Sequence, residues 1–227
     1  MLTAIAIVPS APVLVPDLAG AAAAELDDLR HAVFAAAATL PSRWTAVGVG
    51  PADSVVSPHC TATFAGYGVD LRVALSRSAA LVQDAPLCAL MAAWIRGEVN
   101  PGAVADVRVF CRDHDDDAAI RHGTALRDEI EADPEPLGVL VVADGAHTLT
   151  PAAPGGHDPE SVRVQEALDD ALATGDTAAL AEVPASVPSR VVWHVLAGFA
   201  GTGPRSAQEF FRGAPYGVGY FAGVWQP

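Results

Sequence analysis

Alternation of short apolar segments with longer helical ones constrains the fold of this chain more than any other feature. The first apolar segment, Leu2–Val8, is stopped by Pro9; a helical segment follows from about Leu18 to Leu40, and Trp44–Gly50 is again strongly apolar. A strand, a helix and a second strand in this order favour parallel pairing. Because no linker interrupts the alternation, we predict one α/β domain over residues 1–227, with a central, mostly parallel sheet and helices on both faces.

The later part of the chain repeats this pattern. Short apolar or alternating runs predict strands, and longer runs between glycine or proline breaks predict helices. The predicted strands are Gly68–Leu75, Val104–Phe110, Leu137–Val142 and Tyr216–Trp225, the predicted helices are Pro86–Arg96, Asp115–Ile130, Pro159–Ala173 and Arg190–Ala200, and residues 52–66 and 150–156 are predicted to be loops.

Charge and composition limit the classes of partner. The formal net charge is −14, lysine is absent, and all 13 basic residues are arginines scattered among acids. Nucleic-acid binding needs clustered cationic side chains, so we exclude nucleic acid as a partner. No apolar run approaches the roughly 18 residues that cross a bilayer, and the N-terminus lacks the basic region of a signal peptide, so we expect no membrane association.

The cysteines favour a reducing compartment. Cys60, Cys88 and Cys111 are widely spaced and form no CxxC pair. This spacing excludes a disulfide framework and a zinc ribbon. We therefore expect reduced thiols in a cytoplasmic protein.

The segment Leu137–His147, with the sequence LGVLVVADGAH, carries the strongest functional signal. Its first six residues predict a buried strand, and the following turn presents Asp144 and His147 three residues apart. In α/β proteins, ligands bind outside the carboxyl ends of strands. A histidine there suits acid/base chemistry, with the aspartate either orienting it or capping the turn. The alternative is a turn histidine that only bonds to the backbone.

Four segments, taken together in chain order, carry a family resemblance. They are PSAPVLVP at Pro9–Pro16, VGVGPA at Val47–Ala52, DGAHTL at Asp144–Leu149 followed by APGG at Ala153–Gly156, and APYGVGY at Ala214–Tyr220. In this order they resemble the B-type subunit of the class III extradiol ring-cleavage dioxygenases, a group that includes the Memo-like proteins. The lysine-free composition suits an actinobacterial-looking member of this group. The resemblance implies a single extradiol dioxygenase-like domain, a small aromatic ligand and an acid/base role for His147.

The resemblance also implies where iron ligands would lie. Active members hold Fe(II) with two histidines and one glutamate, which leaves positions for substrate and oxygen. Here Ser10 stands at the first histidine position and Ala52 at the second. No acidic residue occurs between Glu182 and Glu209, where the glutamate would precede Trp193. We therefore expect no metal and no other cofactor, although Fe(II) is the cofactor of the family.

These observations predict a small-molecule pocket at the carboxyl ends of the strands. Its catalytic pair would be His147 as general acid/base and Asp144 as the residue that orients it. Ser10 would be a nucleophile or a hydrogen-bond partner of the substrate. The other predicted pocket residues are Ala52, His59, His157 and Tyr216.

Two alternatives to this function stay open at the level of sequence. Ser57-Pro58-His59 reproduces a Ser-Pro-His ending a few residues late, so a metal-dependent ring-cleavage dioxygenase could use nonstandard ligands such as His59 and His147. A non-catalytic binding or interaction protein is the other alternative. Since members of the family are often oligomeric, the resemblance implies a homodimer, but the sequence shows no interface.

The remaining polar clusters are interpreted as structural. The run Arg112–Asp117 is acidic, but the glycines of a calcium loop are missing, so a solvated helix start is expected. His31 and His122 lie among charged residues of predicted helices and are expected on the surface. His194, between Trp193 and Val195, is expected to be a buried histidine with its hydrogen bonds satisfied.

Overall fold

Ten strands form two sheets in the computed structural model, which describes all residues from Met1 to Pro227. The strands are β1 (Leu2–Val8), β2 (Arg43–Gly50), β3 (Ser54–Val56), β4 (Cys60–Thr63), β5 (Arg72–Ala74), β6 (Leu81–Val82), β7 (Val104–Cys111), β8 (Leu137–Val142), β9 (Ser206–Gly213) and β10 (Tyr220–Gln226). The main sheet has seven strands in the order β3-β7-β2-β8-β1-β10-β9, and the small sheet has the order β5-β4-β6.

The centre of the main sheet is parallel, but the sheet as a whole is mixed instead of mostly parallel as predicted. Strands β7, β2, β8 and β1 pair in parallel, so their carboxyl ends lie along one edge of the sheet. Strands β3 and β10 pair antiparallel with β7 and β1, and β9 pairs antiparallel with β10. The start of β10 therefore lies at the same edge as the end of β1.

Seven α-helices accompany the sheets. They are α1 (Pro16–Ala19), α2 (Asp27–Ala37), α3 (Leu87–Val99), α4 (Asp116–Ala132), α5 (Glu160–Thr174), α6 (Thr177–Leu180) and α7 (Arg190–Ala200), with short 3-10 segments at Pro12–Leu14, Gly20–Leu26 and Phe64–Tyr67. None of the helices is both long and apolar enough to cross a membrane.

Helices cover both faces of the main sheet, which confirms the predicted α/β architecture. Alternate residues of β1 point to opposite faces, as the two-residue period of a strand requires. Ala4 and Ala6 belong to a hydrophobic core shared with α2 and α3. Ile5 and Ile7 belong to a second core shared with α4, α5 and α7.

The first helix is shorter than the sequence predicts. An alanine-rich helix is expected from Leu18 to Leu40, but regular α-helix extends only over α2, after the irregular turns of α1 and the 3-10 segment. Gly20, with φ 56° and ψ −123°, adopts a conformation outside any right-handed helix. A high alanine content therefore does not produce one continuous helix here.

Several strand predictions also need correction. Residues 52–66, predicted as a loop, contain β3 and β4, which are only three and four residues long. Only Arg72–Ala74 of the predicted strand Gly68–Leu75 is extended. The last strand begins at Tyr220 instead of Tyr216, because Gly217 turns the chain with φ 73°. Strand β9 is absent from the prediction, since its burial does not alternate at the sheet edge.

Candidate functional site

The carboxyl ends of β1 and β8 bring Ser10 and Asp144 into contact. The two strands pair in parallel through Val8 and Val142, so the residues that follow them leave the sheet side by side. The backbone N–H of Ser10 donates a hydrogen bond of 2.8 Å to Oδ1 of Asp144. A proposed pocket residue and a proposed catalytic residue are therefore neighbours, although they are 134 positions apart in sequence.

The backbone of Asp144 is fixed from the α7 side of the sheet. Its N–H donates to Oγ of Ser189 at 2.9 Å, and its carbonyl accepts a bond of 3.3 Å from the indole Nε1 of Trp193. Burial raises the pKa of the Asp144 carboxyl to about 7, and the Ser10 amide offsets this only in part. A carboxyl group with this pKa can both accept and donate a proton near neutral pH.

Tyr220 places a phenol in the neighbourhood of this carboxyl. It begins β10, which runs antiparallel beside β1 with Ile7 opposite Gly223, so Tyr220 lies at the carboxyl edge. Tyr220 is buried, and burial together with the negative charge of Asp144 raises the pKa of its phenol above the ordinary value. The phenol is thus neutral over the physiological range and can donate a hydrogen bond. Tyr220 ends the GVGY motif that carries part of the family resemblance, but the sequence analysis names Tyr216 as the pocket residue instead.

The turn that carries His147 is held by backbone pairing with residues 217–219. Gly145 donates to the carbonyl of Gly219 at 2.8 Å, and the N–H of Gly219 donates to the carbonyl of Ala146 at 2.8 Å. The N–H of Ala146 donates to Oε1 of Gln165 on α5, also at 2.8 Å. This network fixes the backbone immediately before the histidine.

His147 itself lies beneath the loop formed by residues 150–156. Its side chain is partly buried, and its buried Nδ1 has no hydrogen-bond partner in the protein. The loop crosses the imidazole at Gly155, where a Cβ would lie 2.3 Å from Cδ2 of the ring. Only glycine fits at that contact. The loop therefore covers part of the imidazole, and the residue stays partly exposed.

Ala52 and His157 do not join this group, whereas Tyr216 lies close enough to Tyr220 to raise the pKa of its phenol. Ala52 is exposed after β2, and His157 is exposed in the loop before α5. The Tyr216 phenol donates a hydrogen bond of 2.9 Å to the carboxylate of Glu25, near the molecular surface. The five main cavities of the molecule are all lined by residues other than Ser10, Asp144 and His147.

His59 lies in another part of the molecule. Strand β3 runs away from the carboxyl edge, with Ser54 opposite Val109 and Val56 opposite Val107. His59 follows β3, and its carbonyl accepts hydrogen bonds from Ala80 and Leu81 beside the small sheet. The structure therefore does not bring His59 and His147 together as a pair of metal ligands.

The positions that correspond to iron ligands in the resembling family do not fit Fe(II). Ser10 uses its backbone N–H to bond Asp144, Ala52 has no donor atom in its side chain, and the hydroxyl of Ser189, shortly before Trp193, accepts the bond from the Asp144 amide. Two histidines and a carboxylate are needed there to hold the ion. No step involving iron is therefore assigned to this edge.

The expectations for the other histidines have mixed outcomes. His31 is exposed, as expected. His194 is fully buried as predicted, with Nε2 bonded to the carbonyl of Val183 at 3.1 Å, but its Nδ1 has no hydrogen-bond partner. His122 is expected on a solvated surface; instead it is partly buried and packs against the rings of Phe110 and His114.

Comparisons with known proteins show the fold and no function. No protein-family profile matches the chain, and no curated protein matches it. Among solved structures, the chain is similar to the crystal structure of the uncharacterized protein JW3007 from Escherichia coli K12, with a TM-score of 0.58 and 9% sequence identity. The similarity covers 99% of this chain and 100% of that chain, so the whole domain shares the fold of the E. coli protein.

Proposed function

We propose that this chain is a small-molecule-binding protein related to the class III extradiol dioxygenases, with metal-free acid/base chemistry at Asp144, Tyr220 and His147. The observation that carries the proposal is the partly buried residue Asp144, whose carboxyl has a pKa raised to about 7 by desolvation and lies at the end of a central strand. Groups with perturbed pKa values cluster at functional sites. The three free thiols favour a cytoplasmic location for such a protein.

The chemistry of the site suits a ligand with an acidic hydroxyl group, such as a phenol or catechol. The ionised Asp144 would take the hydroxyl proton, so that the O–H bond breaks and its electron pair stays on the ligand oxygen. The neutral Tyr220 phenol would donate a hydrogen bond to that oxygen and stabilise its charge. His147 would act as the second acid/base group through Nδ1, which has no partner within the protein.

Access to this site depends on the loop of residues 150–156. The loop is tied to His147 by one backbone bond of 3.0 Å, from the N–H of Gly155 to the histidine carbonyl. Its residues are largely exposed, with Ala153 as the buried exception. We propose that this segment opens to admit the ligand and then closes over the imidazole.

Binding of phenolic probes to chelator-treated protein tests the proposal. Catechol, phenol and hydroxybenzoates would be titrated by ligand-observed NMR against the wild type, Asp144→Asn and His147→Ala. At least one probe should bind, and both substitutions should weaken its binding at least about tenfold, since each removes a contact to the ligand hydroxyl. The matched controls Asp84→Asn and His31→Ala change exposed side chains and should bind as the wild type does.

Two outcomes would overturn the proposal. The first is failure of every phenolic probe to bind, or binding that is unchanged in Asp144→Asn. The second is oxygen consumption with a ring-opened product when protein loaded anaerobically with Fe(II) is mixed with catechol and oxygen. That result would instead support a ring-cleavage dioxygenase with nonstandard ligands.

A further inference from the structure

A second group of chemically active side chains lies at the ends of β2 and β7. Asp53 belongs to the connection between β2 and β3, His114 to the connection between β7 and α4, and His122 to α4 itself. Strands β2 and β7 pair in parallel up to Gly50 and Cys111, so the segments that follow them meet. The three residues are thus brought together by the sheet and not by their spacing in sequence.

The donor atoms of these three side chains are close to one another. One carboxylate oxygen of Asp53 and one ring nitrogen from each histidine all lie within 4.8 Å of each other. Nε2 of His114 is 2.8 Å from Oδ1 and 2.9 Å from Oδ2 of Asp53. Donors bound to one tetrahedral ion at about 2.1 Å lie about 3.4 Å apart, so a single ion would require only small side-chain rotations.

Contacts outside the cluster orient Asp53 and His122, and His122 in turn packs against His114. The backbone N–H of Cys111 donates a hydrogen bond of 2.6 Å to Oδ1 of Asp53. The ring of His122 packs against Phe110 at 5.4 Å between centroids and against His114 at 4.6 Å. Hydrogen bonds and packing of this kind hold metal ligands in place in known sites.

The cluster has a solvent-accessible side. Asp53 and His122 line a cavity of about 390 Å³ whose walls include Phe110 and Leu126. The Asp53 side chain is 50% exposed and the His114 side chain 21% exposed, so an ion can reach both from solvent. Three protein ligands beside an open cavity leave at least one coordination position for water or another ligand.

The charge of the carboxylate also suits a cation. Two imidazoles and one carboxylate suit zinc, iron or cobalt, whereas calcium and magnesium prefer oxygen ligands alone.

We propose that Asp53, His114 and His122 bind one divalent transition-metal ion of the zinc and iron type. The site uses neither Ser10 nor Ala52, where the family resemblance would place iron, although Asp53 directly follows Ala52 in the chain. On binding, the metal takes the Nε2 lone pair of His114 and the neutral ring keeps a proton on Nδ1; a ring that starts as imidazolium releases its second proton to solvent. The proposal does not depend on the function assigned to Asp144 and His147.

The competing interpretation is an ion pair without a metal. Protonated His114 would bond to Asp53, as the two short distances allow, and His122 would only pack against its ring. The two interpretations differ in measurable ways. The ion pair predicts no stoichiometric uptake of zinc or cobalt.

Titration of tag-free, chelator-treated, full-length protein with Zn²⁺ and Co²⁺ separates the two. Calorimetry should show one Zn²⁺ bound per chain, and Co²⁺ should develop visible absorption bands with the same stoichiometry. Asp53→Asn, His114→Ala and His122→Ala should each weaken binding at least about tenfold. Loss of a residue that only hydrogen-bonds to a metal ligand already lowers metal affinity about 10- to 100-fold, and these substitutions change the ligands themselves. His31→Ala removes an exposed histidine of α2 and should bind as tightly as the wild type.

The ring resonances of the histidines provide a measurement that needs no variant. On addition of one equivalent of Zn²⁺, the signals of His114 and His122 should shift while the signal of His31 stays in place. The proposal is overturned if Zn²⁺ does not bind, if the double variant His114→Ala/His122→Ala binds as the wild type does, or if the signals of these two histidines do not move.

Discussion

Replacing Asp144 by asparagine should change the dependence of stability on pH. Asp144 is partly buried beside β1, its Oδ1 accepts one backbone bond from Ser10, and desolvation raises the pKa of its carboxyl to about 7. In the unfolded chain the same carboxyl has an ordinary pKa of 3.8. Between these two values the folded protein holds a proton that the unfolded chain has lost. The contribution of Asp144 to the free energy of unfolding is therefore complete below about pH 4 and declines as the pH rises to about 7.

The size of this effect follows from the two pKa values. Each pKa unit corresponds to about 1.4 kcal/mol, so the contribution of Asp144 should fall by up to about 4 kcal/mol between about pH 4 and about pH 7. Above about pH 8 it should be constant, because the carboxyl is then ionised in both states. Asparagine does not titrate, so the variant lacks this decline. The free energy of unfolding of Asp144→Asn, minus that of the wild type, should therefore increase between about pH 4 and about pH 7.

Urea unfolding of wild type and variant from about pH 4 to about pH 8.5 measures this difference. A second buried carboxyl, Asp169, has a pKa raised to about 6, but its contribution is common to both proteins and cancels. Asp84→Asn, which changes an exposed side chain, should differ from the wild type by the same amount at every pH. A difference between Asp144→Asn and wild type that does not vary with pH would refute the reasoning. If the variant does not fold, the replacement test is the carboxyl ¹³C resonance of Asp144 in the wild type. A resonance that does not titrate near neutral pH would refute the reasoning.

Two further predictions concern packing and buried hydrogen bonds. At Gly123 on α4 a Cβ would lie 2.0 Å from the carbonyl oxygen of Val195 on α7, so Gly123→Ala should destabilise the protein by about 3 kcal/mol. The control is Gly97→Ala on α3, where a Cβ meets nothing within 4 Å, and it should be neutral or stabilising by up to about 1 kcal/mol in urea unfolding. Equal losses of stability in the two variants would contradict the argument. Gln165→Leu should cost about 1–3 kcal/mol in urea unfolding and speed hydrogen exchange at Ala146, whose amide loses its acceptor. Unchanged exchange at that amide would refute the role given to the glutamine.

The central strands could be predicted from sequence because their signals are local. Leu2–Val8 and Leu137–Val142 are short apolar runs with clear breaks, and the structure has both with these bounds. The failures are elements that depend on partners. Strand β9 has no regular burial pattern of its own and exists through its pairing with β10, including a bulge at Ala222 and Gly223. Local reasoning has no access to such pairing.

The candidate sites divide in the same way. Asp144 and His147 can be identified because they follow one strand directly, and that much is visible in sequence. The neighbours of Asp144 are harder to find, since the contact with Ser10 and the proximity of Tyr220 depend on the strand order β8-β1-β10. His122 is assigned to the surface because charged residues surround it in sequence. Its proximity to Asp53 arises from the pairing of β2 with β7, which joins distant parts of the chain.

The two aspartates at the carboxyl edge show how local environment divides chemical roles on one sheet. Asp144 has a single backbone donor and no cation beside it, so burial dominates and its pKa rises. Asp53 has a backbone donor of the same kind, but two histidines are added and the side chain is half exposed, so its pKa falls. A carboxyl that titrates near neutral pH suits proton transfer, and one that remains ionised suits a bound cation. The ends of β8 and β2 are adjacent, yet they supply carboxyl groups fitted to different chemistry.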